Sequence, residues 1–307
     1  MTPGKSCTAL SSECGRLRQP GKVPKVSVVL VHYEMTREIL RTIRSLSPGM
    51  QRGLDADDWE LVVVDNGSEF APDLSECEAL GANLRWLIVD DGGASPARAM
   101  NVGIAAARGA LVGSMVDGAR LASPGLLSAA LKGASISARP IITTLGHHLG
   151  PTTQQRSVQE GYDQNAEDAL LAGVDWTADG YRLFEISALA ESSRDGTERL
   201  PAESNAIFMP RALWAELGGF DEGFASPGGG LVNHDVLARA CALPGADVFL
   251  IEGEATFHQV HGGISTNKPR SRWDEFAAEY SRLRGRAYER PEVPFTVLSG
   301  GSGPKEG

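Results

Sequence analysis

The most constraining feature of this chain is a pair of strongly apolar runs rich in β-branched residues. They are Lys25-Val-Ser-Val-Val-Leu-Val31 and Trp59-Glu-Leu-Val-Val-Val-Asp65. A strand with one wet face alternates apolar and polar residues, whereas a continuous run suits a strand covered on both faces, as in a parallel sheet flanked by helices. Between the two runs Met35, Ile39, Leu40, Ile43 and Leu46 recur at helical spacing, and Ser47-Pro48-Gly49 ends the pattern. Residues 84–89 and 110–117 read as a third and a fourth strand. The helix between them opens at Ser95-Pro96, with Ser as N-cap and Pro at the first helical position, and runs to Arg108. Ser123-Pro124 caps a further helix. This alternation predicts an α/β fold with a Rossmann-like, mostly parallel central sheet flanked by helices.

From about 146 to 203 the alternation fails and polar residues and Gly accumulate, which marks an insertion that is either functional or partly mobile. Regular structure returns with a strand over 205–209, helices over 211–217 and 234–241, a strand over 247–251 and an amphipathic helix over about 273–284. Residues 1–22 and 291–307 lack hydrophobic periodicity and read as a disordered leader and tail around one ordered unit, 23–290.

Composition excludes several function classes. The chain has 307 residues, 42% apolar and 22% charged, with a net charge of −10. That acidity argues against a nucleic-acid or anionic-membrane binder, which would carry a basic patch. No apolar run approaches the roughly 18 residues of a membrane span, and the first 22 residues hold no secretory signal. Cys7, Cys14, Cys77 and Cys241 form no CxxC pair, so a disulfide framework or zinc site is not expected and a reducing cytoplasm is the simpler home.

Ligands of open α/β sheets gather at the carboxyl ends of the strands. Those ends carry His32, Tyr33 and Glu34 after the first strand, Asp65-Asn-Gly-Ser68 after the second, and Asp117-Gly-Ala-Arg120 after the fourth. Two acids on separate strand ends suit a nucleotide, though Asp65-Asn-Gly-Ser68 is also a plain turn sequence. No GxGxxG follows the first strand, which disfavours a dehydrogenase-type dinucleotide site.

The order of these pieces resembles the family-two nucleotide-sugar glycosyltransferases with the GT-A fold. The resemblance rests on Val26–Val31, Leu61–Ser68, Arg98-Ala-Met-Asn-Val-Gly103 with Ala107-Arg-Gly109, and Met115-Val-Asp117. It continues through Leu217-Gly-Gly-Phe-Asp-Glu222, His234-Asp235 and the late His258, covering roughly 23–261. The resemblance implies an inverting transfer of a sugar from a nucleoside diphosphate to a hydroxyl or amine of a small-molecule or glycan acceptor. It places Asp65 on the base, with His32 and Glu34 nearby, and Asn101 near ribose and diphosphate. Arg98, one turn earlier on the same helix face, can pair with phosphate as a bidentate donor or stand solvated.

The family's Asp-x-Asp metal motif reads Asp117-Gly118-Ala119 here, followed by Arg120. A divalent ion, manganese or magnesium, would be held by Asp117 and His258 but weakened by Ala119; alternatively Arg120 supplies the positive charge itself. The resemblance makes Asp235 the base and puts His234, Glu203, Asp221 and Glu222 on the acceptor side. A base must take the acceptor's proton as its oxygen attacks. Pro227-Gly-Gly-Gly230 reads as a mobile flap or as a tight loop. The Trp176 and Tyr181 region either stacks on a sugar or anchors its loop. The competing reading is a degenerate member that binds nucleotide or carbohydrate without turnover.

Overall fold

The computed structural model describes residues 22–89, 92–261 and 272–300. The expected leader lies outside the described residues except for Lys22, as does the chain beyond residue 300.

Two of the strands read from the sequence pair side by side toward the β3 edge of the sheet. Strand β1 (Val26–His32) pairs in parallel with β2 (Trp59–Asp65), which pairs in parallel with β3 (Leu84–Ile88). On its other side β1 takes β4 (Leu111–Ser114), again in parallel. The connecting helices α1 (Thr36–Ser45), the short α2 (Ser75–Ala79) and α3 (Ala97–Ala106) cover the two faces. All seven residues of β1 and of β2 are buried, so both faces need apolar side chains. Val28, Leu30, Leu61 and Val63 face the core that receives Ile39, Ile43 and Leu46; Val29, Val31, Val62 and Val64 face the core that receives Ala99 and Met100. Helix α3 approaches β1 closely at Gly103, where a Cβ would stand 2.3 Å from a Val29 methyl.

The rest of the sheet was less legible. After the three-residue β5 (Arg120–Ala122) and α4 (Leu126–Ala134) comes β6 (Pro140–Leu149), a ten-residue strand that the sequence reading passed over. The insertion is ordered as α5 (Gln154–Gln159), α6 (Gln164–Ala172), a 3-10 segment and β7 (Ser187–Leu189). Trp176 and Leu183 join Phe257 in a third core cluster, and the Tyr181 hydroxyl donates to Glu254 (2.7 Å), so this region is anchored to the core. The chain ends with β8 (Ile207–Pro210), α7 (Arg211–Leu217), α8 (Val232–Cys241), β9 (Asp247–His258), α9 (Trp273–Arg284) and β10 (Thr296–Ser299). The sheet order is β10-β9-β6-β8-β4-β1-β2-β3, with β8 antiparallel to both neighbours. Strand β10 pairs with β9 inside the segment expected to be a disordered tail, because Leu298 finds a place in the α4 core. No helix among the described residues is long and apolar enough to cross a membrane.

Candidate functional site

The chain runs outward from β1 to β2 and β3, then returns to place β4 on the opposite side of β1. Such a reversal opens a crevice at the carboxyl ends of the strands. Asp65 closes β2 and Asp117 lies just past β4, two strand spacings away, which is about 10 Å at the usual inter-strand distance.

On the β2 side, a backbone latch joins the two loops. The Glu34 amide donates to the Ser68 hydroxyl (3.1 Å), and the Glu34 carboxylate accepts from the Glu69 amide (2.5 Å). Glu34 has φ 53°, a left-handed conformation that residues with a Cβ adopt rarely and mostly at binding sites and turns. Asp65 is 5% exposed and accepts from the Ser68 amide (2.8 Å) through one oxygen. Tyr33 and Phe70 are exposed on the two loops. His32 is fully buried against Trp86, its ring nitrogens without hydrogen bonds, and burial holds its pKa below the ordinary histidine value. In this arrangement His32 supports the loop from below and does not reach a ligand.

On the β4 side, strand register assembles a second group. Strand β9 carries an irregularity in its pairing with β6 at Thr144/Leu145, with Gly253 at φ 78° on the β9 side. Beyond it, His258 stands opposite His148 on β6 and opposite Arg120 on β5. Directly paired residues point to the same face, so the three basic side chains form a row. Arg120 is 6% exposed; its Nε donates to Asp117 (3.2 Å) and a terminal nitrogen donates to the Asn205 side-chain amide oxygen (3.2 Å). The His258 Nε2 lies 3.7 Å from Asp117 and 3.3 Å from the His261 Nε2, and its Nδ1 meets the Gln154 amide oxygen at 2.5 Å. Burial, then the Arg120 charge, pushes His258 well below its ordinary pKa and His148 down to about 4. Both rings are neutral near pH 7, leaving Arg120 as the cation facing Asp117.

That geometry does not fit a divalent ion. One Asp117 oxygen is already engaged by Arg120, Ala119 replaces the second acid, and no group of three or more His, Cys, Asp or Glu side chains is gathered for a metal among the described residues.

A third group lies beyond Arg120. The Ser204 amide donates to the Asn233 carbonyl (3.2 Å), which holds the chain before β8 against the first turn of α8. Glu203 and His234 thereby come within 4.0 Å, Oε2 to Nδ1. Burial opposes ionisation of Glu203, but the polar and basic groups around it, Arg120 among them, together hold the carboxyl below its ordinary value.

The other expected site residues do not converge here. Asp235 is fully buried: it accepts from the Arg239 Nε (2.7 Å) and from the Arg284 Nε (2.5 Å) and a second Arg284 nitrogen (2.7 Å). A carboxylate so engaged has no lone pair presented to an acceptor, so the base role does not fit it. Asp221 binds the same Arg284 (2.7 Å), and Glu222 accepts from the Asn101 amide (2.8 Å). Asn101 also exchanges two hydrogen bonds with the Phe220 backbone (2.9 and 2.8 Å), so its amide fastens this turn and does not face a ribose. Arg239 donates to the Leu217 and Gly219 carbonyls (2.9 and 2.8 Å). The Leu217–Glu222 stretch is therefore a structural latch between α3, α8 and α9. Arg98 is exposed and forms no hydrogen bond or ion pair among the described residues. The glycine loop is the tight alternative: Gly228 donates to the Ala94 carbonyl, and Ala225 and Ser226 donate to Glu279.

Asn205 lies two residues past Glu203 on the approach to β8. The place of His148 depends on β6 and its register, which the sequence reading passed over.

No family model matches the chain, and no curated protein matches it. Solved structures do. One is S. aureus TarS, with 16% identity over 77% of this chain and 37% of that chain at a TM-score of 0.50. Another is S. aureus TarS 1-349 in complex with UDP-GlcNAc, with 14% identity over 84% of this chain and 66% of that chain, also at 0.50. This chain thus spans about a third of the one and just under two thirds of the other. At such identities the likeness is one of fold alone: a mixed, mostly parallel α/β sheet flanked by helices.

Proposed function

We propose that this protein is a glycosyltransferase that takes its sugar from a nucleoside diphosphate, with UDP-GlcNAc as the first donor to test. The TarS complex with UDP-GlcNAc on a similar fold supports that choice of donor. The observation that carries the reading is the pair of acid-bearing loops, Asp65 and Asp117–Arg120, flanking the crevice beside β1. Their separation of about 10 Å is of the order of the span from a nucleobase to its β-phosphate. Asp65 offers a free carboxylate oxygen to a base N–H. Tyr33 and Phe70 offer faces for stacking.

Transfer builds negative charge on the departing diphosphate, and a buried guanidinium aimed at that charge stabilises it. Arg120 takes this role in our reading, with Arg98 free to swing in, so turnover proceeds without a divalent ion. The reaction is the inverting one, with a hydroxyl or amine of a small-molecule or glycan acceptor as nucleophile.

The test is thermal unfolding with UDP, TDP and GDP, each with manganese and with chelator. A ligand at a hundredfold over its dissociation constant stabilises by about 2.7 kcal/mol. UDP should raise the midpoint equally in manganese and chelator, and Asp65→Ala should abolish the rise. No rise with any nucleotide sinks the reading; a rise only with manganese sinks the role of Arg120. The engagement of Asp235 by two arginines also favours a second reading, nucleotide binding without turnover. That reading predicts the UDP rise but no release of UDP from UDP-GlcNAc with any acceptor.

A further inference from the structure

With Asp235 closed off, the acceptor's proton needs another destination. His234 is its neighbour, in the first turn of α8, where the positive end of the helix dipole favours a neutral ring. Its side chain is 13% exposed and its Nδ1 is buried without a hydrogen bond. An unpartnered buried nitrogen is costly, and such groups in native structures mark strain or function. The nearest charged partner is the Glu203 carboxylate at 4.0 Å. Hydrogen bonds within catalytic pairs are often long in the free enzyme and tighten only with substrate bound. Edge-on contacts fix the plane of the ring, to Tyr288 at 5.0 Å and 90° and to Trp273 at 5.8 Å and 67°. The Tyr288 hydroxyl also donates to the Ala202 carbonyl, so the ring's wall and the Glu203 loop are tied together.

We propose that His234 takes the acceptor's proton and that Glu203 is the positioning carboxylate that holds its Nδ1–H and leaves Nε2 as the base; this rests on the glycosyltransferase reading above. The acceptor O–H bond breaks and its proton passes to the His234 Nε2. The freed oxygen pair forms the bond to the anomeric carbon. The bond from that carbon to the β-phosphate oxygen breaks, and its electron pair leaves on the nucleoside diphosphate. Glu203 also feels the charge of Arg120.

The ring must be neutral to act. Burial holds its pKa below the ordinary value, and Glu203 works in the opposite direction. The titratable and charged groups around it are Glu203 in the preceding loop, Tyr288 beyond α9 and, past Glu203, Arg120 on β5 and His148 on β6.

The experiment uses the full chain, with UDP affinity measured by calorimetry and UDP release followed from UDP-GlcNAc with water as acceptor. His234→Gln should lower release by about a hundredfold or more, the usual weight of a general base, with UDP affinity unchanged. In the wild type, release should fall as pH drops and the ring protonates. Glu203→Gln should move that limb to lower pH, because an imidazolium without its carboxylate is less stable. A structural role for Glu203 would not move the limb. Wild-type release in His234→Gln, or an unmoved limb in Glu203→Gln, overturns the pair. Nitrogen-15 spectra of wild-type protein read the tautomer independently of turnover and of any variant's folding. Nδ1–H with a bare Nε2 is expected, and Nε2–H overturns the assignment. Absence of UDP binding in the calorimetric arm overturns the donor reading, and the pair's role with it; UDP binding combined with a failed variant series overturns the pair alone.

Discussion

Replacing Asp235 with Asn separates a structural carboxylate from a chemical one. In the wild type its two oxygens neutralise Arg239 on the same helix and Arg284 on α9, and Arg284 also holds Asp221 in the Leu217–Glu222 turn. The amide keeps the shape but loses the charge, and its NH2 group then faces guanidinium donors. Breaking a buried ion pair by removing one partner costs about 3–5 kcal/mol. Asp235 is fully buried, whereas the arginine side chains are 26% and 21% exposed and can be partly rehydrated, which favours the lower end. A loss of about 3 kcal/mol at roughly 2–4 °C per kcal/mol corresponds to a drop of about 6–12 °C in the unfolding midpoint. Thermal unfolding followed by circular dichroism reads this directly. A double-mutant cycle with Arg284→Met should return a coupling within the range of about 0.5–3 kcal/mol found for contacting residues. The UDP-induced rise in midpoint should persist in the variant. A midpoint within about 2 °C of wild type, as for a neutral surface change, together with lost UDP release at unchanged UDP affinity, would falsify this assignment and restore Asp235 as the base.

Asn101→Ala leaves the Phe220 amide without its acceptor and should destabilise by about 1–3 kcal/mol in chemical denaturation, while calorimetry shows UDP affinity unchanged; the opposite pattern would put Asn101 on the donor. Gly103→Ala drives a methyl to 2.3 Å from Val29 Cγ1 and should cost about 1–3 kcal/mol by the same denaturation, an unshifted midpoint being evidence that α3 can stand away from β1. Asp58 accepts from Lys22 and Lys25, which depress its pKa to about 2. A depressed carboxyl adds stability that is present above its unfolded pKa near 3.8 and is lost as pH falls toward 2. Asp58→Asn should therefore flatten the acid limb of an unfolding titration between about pH 4 and 2, and an unchanged limb would remove the ion pairs from the account.

The parts of the fold legible in the sequence were those in which one physical cause acts alone. Val26–Val31 and Leu61–Val64 are buried on both faces and are almost wholly apolar, so their runs announce a parallel sheet. Asp65 follows from where the second run stops, and Asp117 from where the strand after residue 110 stops. Strand β6 carries the same signal in Ile141-Ile-Thr-Thr-Leu145, but its second half enters the His147-His148 stretch, where the polar residues serve the site and break the pattern. Strand β10 is too short to show a period, and its pairing depends on β9, remote in sequence. Asp235 shows the limit most clearly. The resemblance implied a base at this helix start, yet Arg239 four residues on already signalled an ion pair on the same helix face. Arg284, nearly fifty residues away, completes the burial, and no local pattern foretells it. Glu203 and His234 are likewise brought together by contacts across the fold, among them the Ser204–Asn233 hydrogen bond. Strand-end residues are placed by the backbone that the local sequence specifies, whereas the protonation chemistry depends on which distant arginine or carboxylate arrives beside them. That is why the strand-end acids Asp65 and Asp117 could be located from the chain, whereas the partners of Glu203, His234 and Asp235 had to be read from the fold.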